Sequence, residues 1–299
     1  MTMRRARDAA GQVREPSMTG PRSSPVRWLA PGPWSKASVA ALMLFLPVVG
    51  LTFGQAILIP RRFAPTRALA SVDVTVVPSV TPMADGAPLV EMAAFGDSAM
   101  AGVGVHHLEE FLPVQLAQRV ADATGRPVHV VGYARSGART IDVLTEQLPL
   151  ARRRHDVSVL VVGTNDVTGV TVPTRLARST RALLDALESV GSAVVMSSLP
   201  RFRAMRLLPH PLMEVAIGYG AVVSAVQRRA VARRERVRLV DVGLAVGPEY
   251  FNDAGTLSAD AFHPSAAGYG RIADALVPAV LAALETAESE RRSNDGDPE

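Results

Sequence analysis

The chain has 299 residues, 48% hydrophobic and 20% charged, and no cysteine; it has room for one large domain with a full core, and neither a disordered chain nor a polytopic membrane protein has this composition. Without thiols there is no disulfide framework, no thiolate zinc site and no cysteine nucleophile. The net charge of +4 is uneven: residues 1–62 hold nine basic and two acidic groups, which leaves the remaining chain at −3 and excludes the basic body that a nucleic-acid partner requires.

Residues 1–36 are rich in Arg, Pro, Ser and Gly and are predicted to be disordered. Between Lys36 and Arg61 run 24 uncharged residues, 37–60. As a helix they would extend roughly 36 Å, enough for a bilayer core of about 30 Å, so the run is read as a single transmembrane anchor. Seven basic residues precede it, while Arg61, Arg62 and Arg67 follow, so the orientation signal is diluted but favours the N-terminus inside and the body outside. The alternative is a leader cleaved near Ala70, where Ala68-Leu69-Ala70 fits the small-residue pattern. On either reading the body is exported. Residues 61–86, with Pro65, Pro78 and Pro82, read as a linker in which Val72, Val74 and Val76 alternate as an edge strand would.

A single domain is expected over 87–288. Its predicted strands are 89–95, 128–132, 157–162, 193–197 and 237–242, separated by helices near 108–124, 139–151, 172–190 and 212–235, with a last one near 264–288. Short, nearly continuous apolar strands alternating with helices predict a three-layer α/β/α sandwich around a mostly parallel five-stranded sheet. Arg271 and Asp274 make the last helix amphipathic and core-facing instead of a second span. Residues 289–299 are expected to form a disordered acidic tail.

Parallel sheets of this kind bind ligands at the carboxyl ends of their strands, so the polar residues after each strand carry the chemistry. They are Gly96-Asp97-Ser98 after the first strand, Arg135-Ser136-Gly137 after the second, and Gly163-Thr164-Asn165-Asp166 after the third. A long loop after the fifth ends in Asp260-Ala261-Phe262-His263-Pro264. A hydroxyl, a backbone N–H beside glycine, a side-chain amide and an Asp/His pair are the parts of acyl transfer through a serine.

With these four blocks in this order, the chain resembles the SGNH (GDSL-type) hydrolases, in particular exported serine esterases of actinobacterial type. The resemblance spans roughly residues 88–285. It implies the flavodoxin-like SGNH fold, Ser98 as nucleophile, His263 as base, Asp260 orienting it, and an oxyanion hole from Ser98, Gly137 and Asn165. The second block departs from the pattern, with Gly132 where an asparagine is common and an unusual Arg135. Physical chemistry assigns the same roles: His263 is the group with a pKa near neutrality, and Pro264 suits the first position of a following helix. Competing readings remain: Gly137 serving only backbone geometry, Asn165 capping a helix, and Asp260 capping a turn. Asp97 and Asp166 are read as structural.

His106, His107, His129, His155 and His210 show no metal-ligand spacing, and neither metal nor cofactor is expected. A Gly-x-Ser-x-Gly elbow, a phosphate loop and a dinucleotide fingerprint are missing. The expected activity is hydrolysis of short-chain carboxylic esters of small molecules, lipids or glycans, with Met100, Val103 and Leu108 as an apolar wall. The alternatives are a cell-envelope acyltransferase, a sugar-ester deacetylase and a catalytically silent binding module on the same scaffold.

Overall fold

The computed structural model describes Leu51 and residues 72–295, apart from 81, 84, 85, 191, 205–207 and 247–251. The disordered leader expected over 1–36 and the anchor expected over 37–60 lie outside the described residues, Leu51 excepted.

One sheet holds six strands: β1 (Asp73–Val76), β2 (Val90–Gly96), β3 (Val128–Gly132), β4 (Val157–Val161), β5 (Ala193–Ser197) and β6 (Val237–Val240), in the order β1-β3-β2-β4-β5-β6. β2 to β6 are parallel, and β1 runs antiparallel to β3 with Asp73 opposite Val131. The expected five-stranded sheet is therefore one strand short, and part of the stretch read as a linker belongs to the sheet. The alternation of valines explains this: Val72 is buried, and its carbonyl accepts the Gly132 N–H at 2.8 Å. The departure at Gly132 has its reason here, because a Cβ at that position would lie 2.9 Å from the Val72 Cβ.

Five helices of at least one full turn matter for the site: α1 (Leu112–Thr124), α2 (Thr164–Thr168), α3 (Pro173–Ser189), α4 (Leu212–Val231) and α5 (Ala266–Asp295). The strands alternate as a pleated sheet covered on both faces must. Met92, Ala94, Val157 and Val159 join the cluster of α1 and α5, whereas Ala93, Phe95, Leu160 and Met196 meet Leu183, Leu184 and Leu187 of α3. The helix predicted over 139–151 is an unbroken helical run over 140–150 that changes type along its length, from α at Thr140–Asp142 through π at Val143–Gln147 to 3-10 at Leu148–Leu150. Pro149 has no N–H to continue a regular ladder.

α5 is long and apolar enough to cross a membrane. It is a core helix here, because Tyr269, Ala273, Leu276 and Val280 are wholly buried against α1 and the sheet. It also runs past the expected end at residue 288. Glu288 pairs with Arg126, Glu290 with Arg236 at 3.3 Å and Arg291 with Asp156 at 2.7 Å, so the charged turns grip the body and the helix continues to Asp295.

From β2 the chain crosses to β3 on one side, and β4 then returns to the other side of β2. The crevice at such a switch point opens at the carboxyl end of β2, where residues 96–98 stand.

Candidate active site

Gly96 ends β2 with φ of +148°, and a Cβ there would lie 2.0 Å from the Val161 carbonyl oxygen, so only glycine fits. The chain then turns sharply: the Ala101 N–H bonds the Asp97 carbonyl at 3.0 Å and the Val103 N–H bonds the Ser98 carbonyl at 3.0 Å. The Asp97 side chain accepts the Ala99 N–H at 3.1 Å and so braces the turn, as expected of a structural aspartate. A second brace was not predicted. The buried Gln147 side chain pairs with Gly96 like a neighbouring strand, its Oε1 accepting the Gly96 N–H at 3.0 Å and its Nε2 donating to the Gly96 carbonyl at 2.8 Å. Nothing in the sequence near Gln147 signals this, because the partner lies 51 residues away.

The loop after β6 returns to the same edge. A bridge between Leu257 and Pro264, with the Ser258 N–H donating to the His263 carbonyl at 2.8 Å, fixes its backbone. Asp260 Oδ1 accepts from the Ser258 hydroxyl and from the N–H groups of Phe262 and His263, at 2.8, 2.9 and 2.8 Å. Its Oδ2 stands 2.6 Å from His263 Nδ1, and His263 Nε2 stands 2.9 Å from Ser98 Oγ. An alcohol thus joins an imidazole 165 residues away, and the carboxylate three residues from that imidazole, in one continuous chain of hydrogen bonds. Partial burial alone would raise the Asp260 pKa, but the bonds from the His263 ring, the two backbone N–H groups and Ser258 prevail and hold it below the ordinary carboxylate value. Asp260 therefore both caps the turn and faces the imidazole. Pro264 does not open the helix: it lies in the bridge, and Ser265 Oγ accepts the Gly268 N–H at 3.2 Å as the cap of α5.

Gly137 has φ of +81°, and the space that a Cβ would fill is open. Asn165, in α2, makes no cap; its side-chain amide donates to the Ala138 carbonyl at 3.1 Å and ties the Gly137 loop to the end of β4. An amide NH₂ has two donors, so one N–H of Asn165 is left over for another acceptor. Among the described residues neither the Ser98 N–H nor the Gly137 N–H donates to the backbone.

Behind this edge lie two buried carboxyls. Burial, less the Ala99 bond and reinforced by the Asp166 charge, pushes Asp97 up to about 7. Asp166 Oδ2 accepts from Thr140 N and Oγ1 at 2.9 and 2.7 Å, while its buried Oδ1 has no partner. Arg135 faces solvent beside Glu146 at 2.9 Å, and its N–H donates to the Gly96 carbonyl at 3.2 Å. His106 and His107 are exposed, their N–H groups bonded to Glu110; His129 lies between Glu91 and Asp73, His155 packs against Tyr133, and His210 pairs with Glu214.

The pocket at Ser98 measures about 70 Å³ and is walled by Leu112, Val242, Phe262 and Ile272, among others. The expected wall of Met100, Val103 and Leu108 is not there. Met100 and Val103 are buried and Leu108 packs on the core, because the sharp turn after Ser98 directs the following residues inward.

A family model described as GDSL-like lipase/acylhydrolase matches residues 94–271, which takes in the whole of this edge. The chain belongs to this family. The resemblance carried by the Ser98, Gly137, Asn165 and His263 blocks is thereby borne out, and ester hydrolysis is the class of chemistry the family name carries. A GDSL-like esterase of Mycobacterium tuberculosis is 28% identical over 198 residues, which is 65% of this chain and 63% of that protein. Among solved structures, an esterase EstA from Pseudoalteromonas is 15% identical, covers 65% of this chain and 98% of its own, and superposes with a TM-score of 0.52. A family 3 carbohydrate esterase from Clostridium thermocellum is 20% identical, covers 67% and 98%, and also has a TM-score of 0.52. At these identities the solved structures speak for the GDSL-family fold alone.

Proposed function

We propose that the chain is a serine esterase that cleaves short-chain carboxylic esters through an acyl-enzyme. The observation that carries this reading is the pair of contacts on His263, 2.9 Å to Ser98 Oγ and 2.6 Å to Asp260. Ser98 Oγ attacks the acyl carbon while its proton passes to His263 Nε2. Asp260 keeps the other proton on Nδ1, so that Nε2 presents its lone pair to Ser98, and stabilises the imidazolium that forms. Negative charge gathers on the former carbonyl oxygen, where the N–H groups of Ser98 and Gly137 and the spare N–H of Asn165 serve as donors. Each such donor is typically worth about 2.7–4 kcal/mol of barrier. The tetrahedral intermediate collapses as Nε2 returns its proton to the leaving alcohol, and water then repeats the sequence to release the acid.

The pocket of about 70 Å³ supports a short acyl group, since it has room for only a few heavy atoms. The full-length chain is expected to hydrolyse nitrophenyl butyrate, and Ser98→Ala to lower kcat by about four to six orders of magnitude. A fluorophosphonate label on Ser98 in the unmodified protein completes the assignment. Turnover by Ser98→Ala equal to that of the parent chain ends the proposal.

The same reading places the catalytic body outside the cytoplasmic membrane, held by residues 37–60. Its support is the uncharged run itself, preceded by seven basic residues. Sequencing the N-terminus of the mature protein tests it: a first residue at or before Met18 supports the anchor, and one just after Ala70 replaces the anchor by a cleaved leader.

A further inference from the structure

Beyond β5 the chain runs through Ser198, Leu199 and Pro200 into a short turn, Phe202–Ala204. Phe202 is buried, and it seats against Gly220 of α4, where a Cβ would lie 2.8 Å from its ring. This anchor leaves Arg201 and Arg203 exposed on either side of it. On α4 the spacing of Gly220, Ser224 and Arg228 places all three on one stripe. Arg201, Arg203 and Arg228 together wall a cavity of about 330 Å³, which Asp241 also lines. Ser198, Pro200 and Arg201 also wall the pocket of Ser98, so the two hollows share a side.

The charge lining this cavity is opposite in sign to that of the body. Residues 63–299 are net −3, yet among the described residues three arginines and one carboxylate line this cavity. Arg119, Arg126, Arg234 and Arg291 each hold an acidic partner. Among the described residues Arg203 and Arg228 have none within 4 Å. Asp241 is already engaged, accepting from the Ser198 hydroxyl at 3.3 Å and the Leu244 N–H at 3.1 Å. Guanidinium groups bind planar carboxylates and phosphates in bidentate fashion, and a concave wall focuses their field on a bound anion.

We propose that the Arg201–Arg203–Arg228 cavity is a subsite for an oxyanion carried by the substrate, a carboxylate or phosphate on the ester being cleaved at Ser98. The inference rests on the esterase reading and adds the substrate class to it. The anion enters on the acyl or on the alcohol portion of the ester, and two substrate pairs separate these. Nitrophenyl hemiglutarate and nitrophenyl pentanoate differ by a carboxylate at the acyl tip. Butyryl glycerol phosphate and butyryl glycerol differ by a phosphate on the alcohol.

The unmodified enzyme is expected to show the higher kcat/KM for the charged member of at least one pair. Arg203→Gln and Arg228→Gln should each lower that charged-to-neutral ratio about tenfold, as the loss of a charge-assisted bond does. Arg178→Gln, on the exposed face of α3, controls for net charge and should leave the ratio unchanged. No preference for a charged member in either pair, or a ratio that survives both substitutions, overturns the subsite. If no ester of any kind is turned over, the esterase reading falls by itself, and thermal stabilisation by inorganic phosphate judges the cavity. Stabilisation lost in the Arg203→Gln/Arg228→Gln double variant keeps the subsite; no stabilisation, or stabilisation equal in both proteins, ends it.

Discussion

The Gln147 clamp on Gly96 yields a prediction whose size follows from the structure. In Gln147→Ala the buried Gly96 N–H loses its acceptor, at a cost of about 1–3 kcal/mol. The Gly96 carbonyl loses one donor but keeps the Arg135 N–H at 3.2 Å, so its share is smaller, about 0.5–1 kcal/mol. The sum, about 1.5–4 kcal/mol, should lower the melting temperature by roughly 3–16 °C for a domain of this size. Because Gly96 leads directly into the turn of Ser98, kcat on a nitrophenyl ester should fall while the variant still folds. Gln147→Glu sharpens the test. Its carboxylate still accepts from the Gly96 N–H but faces the Gly96 carbonyl with negative charge, whereas its protonated form can donate there. Melting temperature and kcat of Gln147→Glu relative to the parent should therefore recover as pH falls from about 8 to 5. A Gln147→Ala protein that melts within about 1 °C of the parent with unchanged kcat would refute the reasoning.

Two further outcomes follow. Asp260→Asn preserves the Oδ1 acceptor for Ser258, Phe262 and His263 but sets an NH₂ opposite His263 Nδ1, which forces the tautomer with the proton on Nε2. That ring has no lone pair for Ser98, so kcat should fall by about three to four orders of magnitude with little loss of folding stability, measured by steady-state kinetics and urea titration. Asp97, raised from 3.8 to about 7 by burial, favours its protonated form in the folded chain. Its contribution is fully present below about pH 4 and is lost as pH rises through 7, up to about 4 kcal/mol. Asp97→Asn mimics the protonated acid, so the stability of the variant minus that of the parent should rise between pH 5 and 8.5 in thermal melts; a difference independent of pH counts against the burial argument.

Strands β3 and β5 are where the hydrophobic pattern puts them, because a buried parallel strand is a short apolar run bounded by polar residues or glycine, and both properties are local. The polar blocks of the proposed site were legible for a related reason. The carboxyl ends of parallel strands face one crevice, so Ser98, Gly137, Asn165 and His263 share an edge once the strands are recognised. Helix limits were less legible. The reach of α5 to Asp295 depends on Arg126, Asp156 and Arg236, all distant in the chain. β1 was visible only as an alternation of valines, and its partner β3 lies more than fifty residues away.

Residue types and their order alone were enough for the layered α/β body, the edge of the proposed site and the pairing of Asp260 with His263, since each reflects periodicity or short-range geometry. Which side chain clamps Gly96, which residues wall the 70 Å³ pocket, and that Arg203 and Arg228 meet over one cavity depended on folding. Such contacts join elements far apart along the chain, and packing in three dimensions, which no local pattern encodes, selects them.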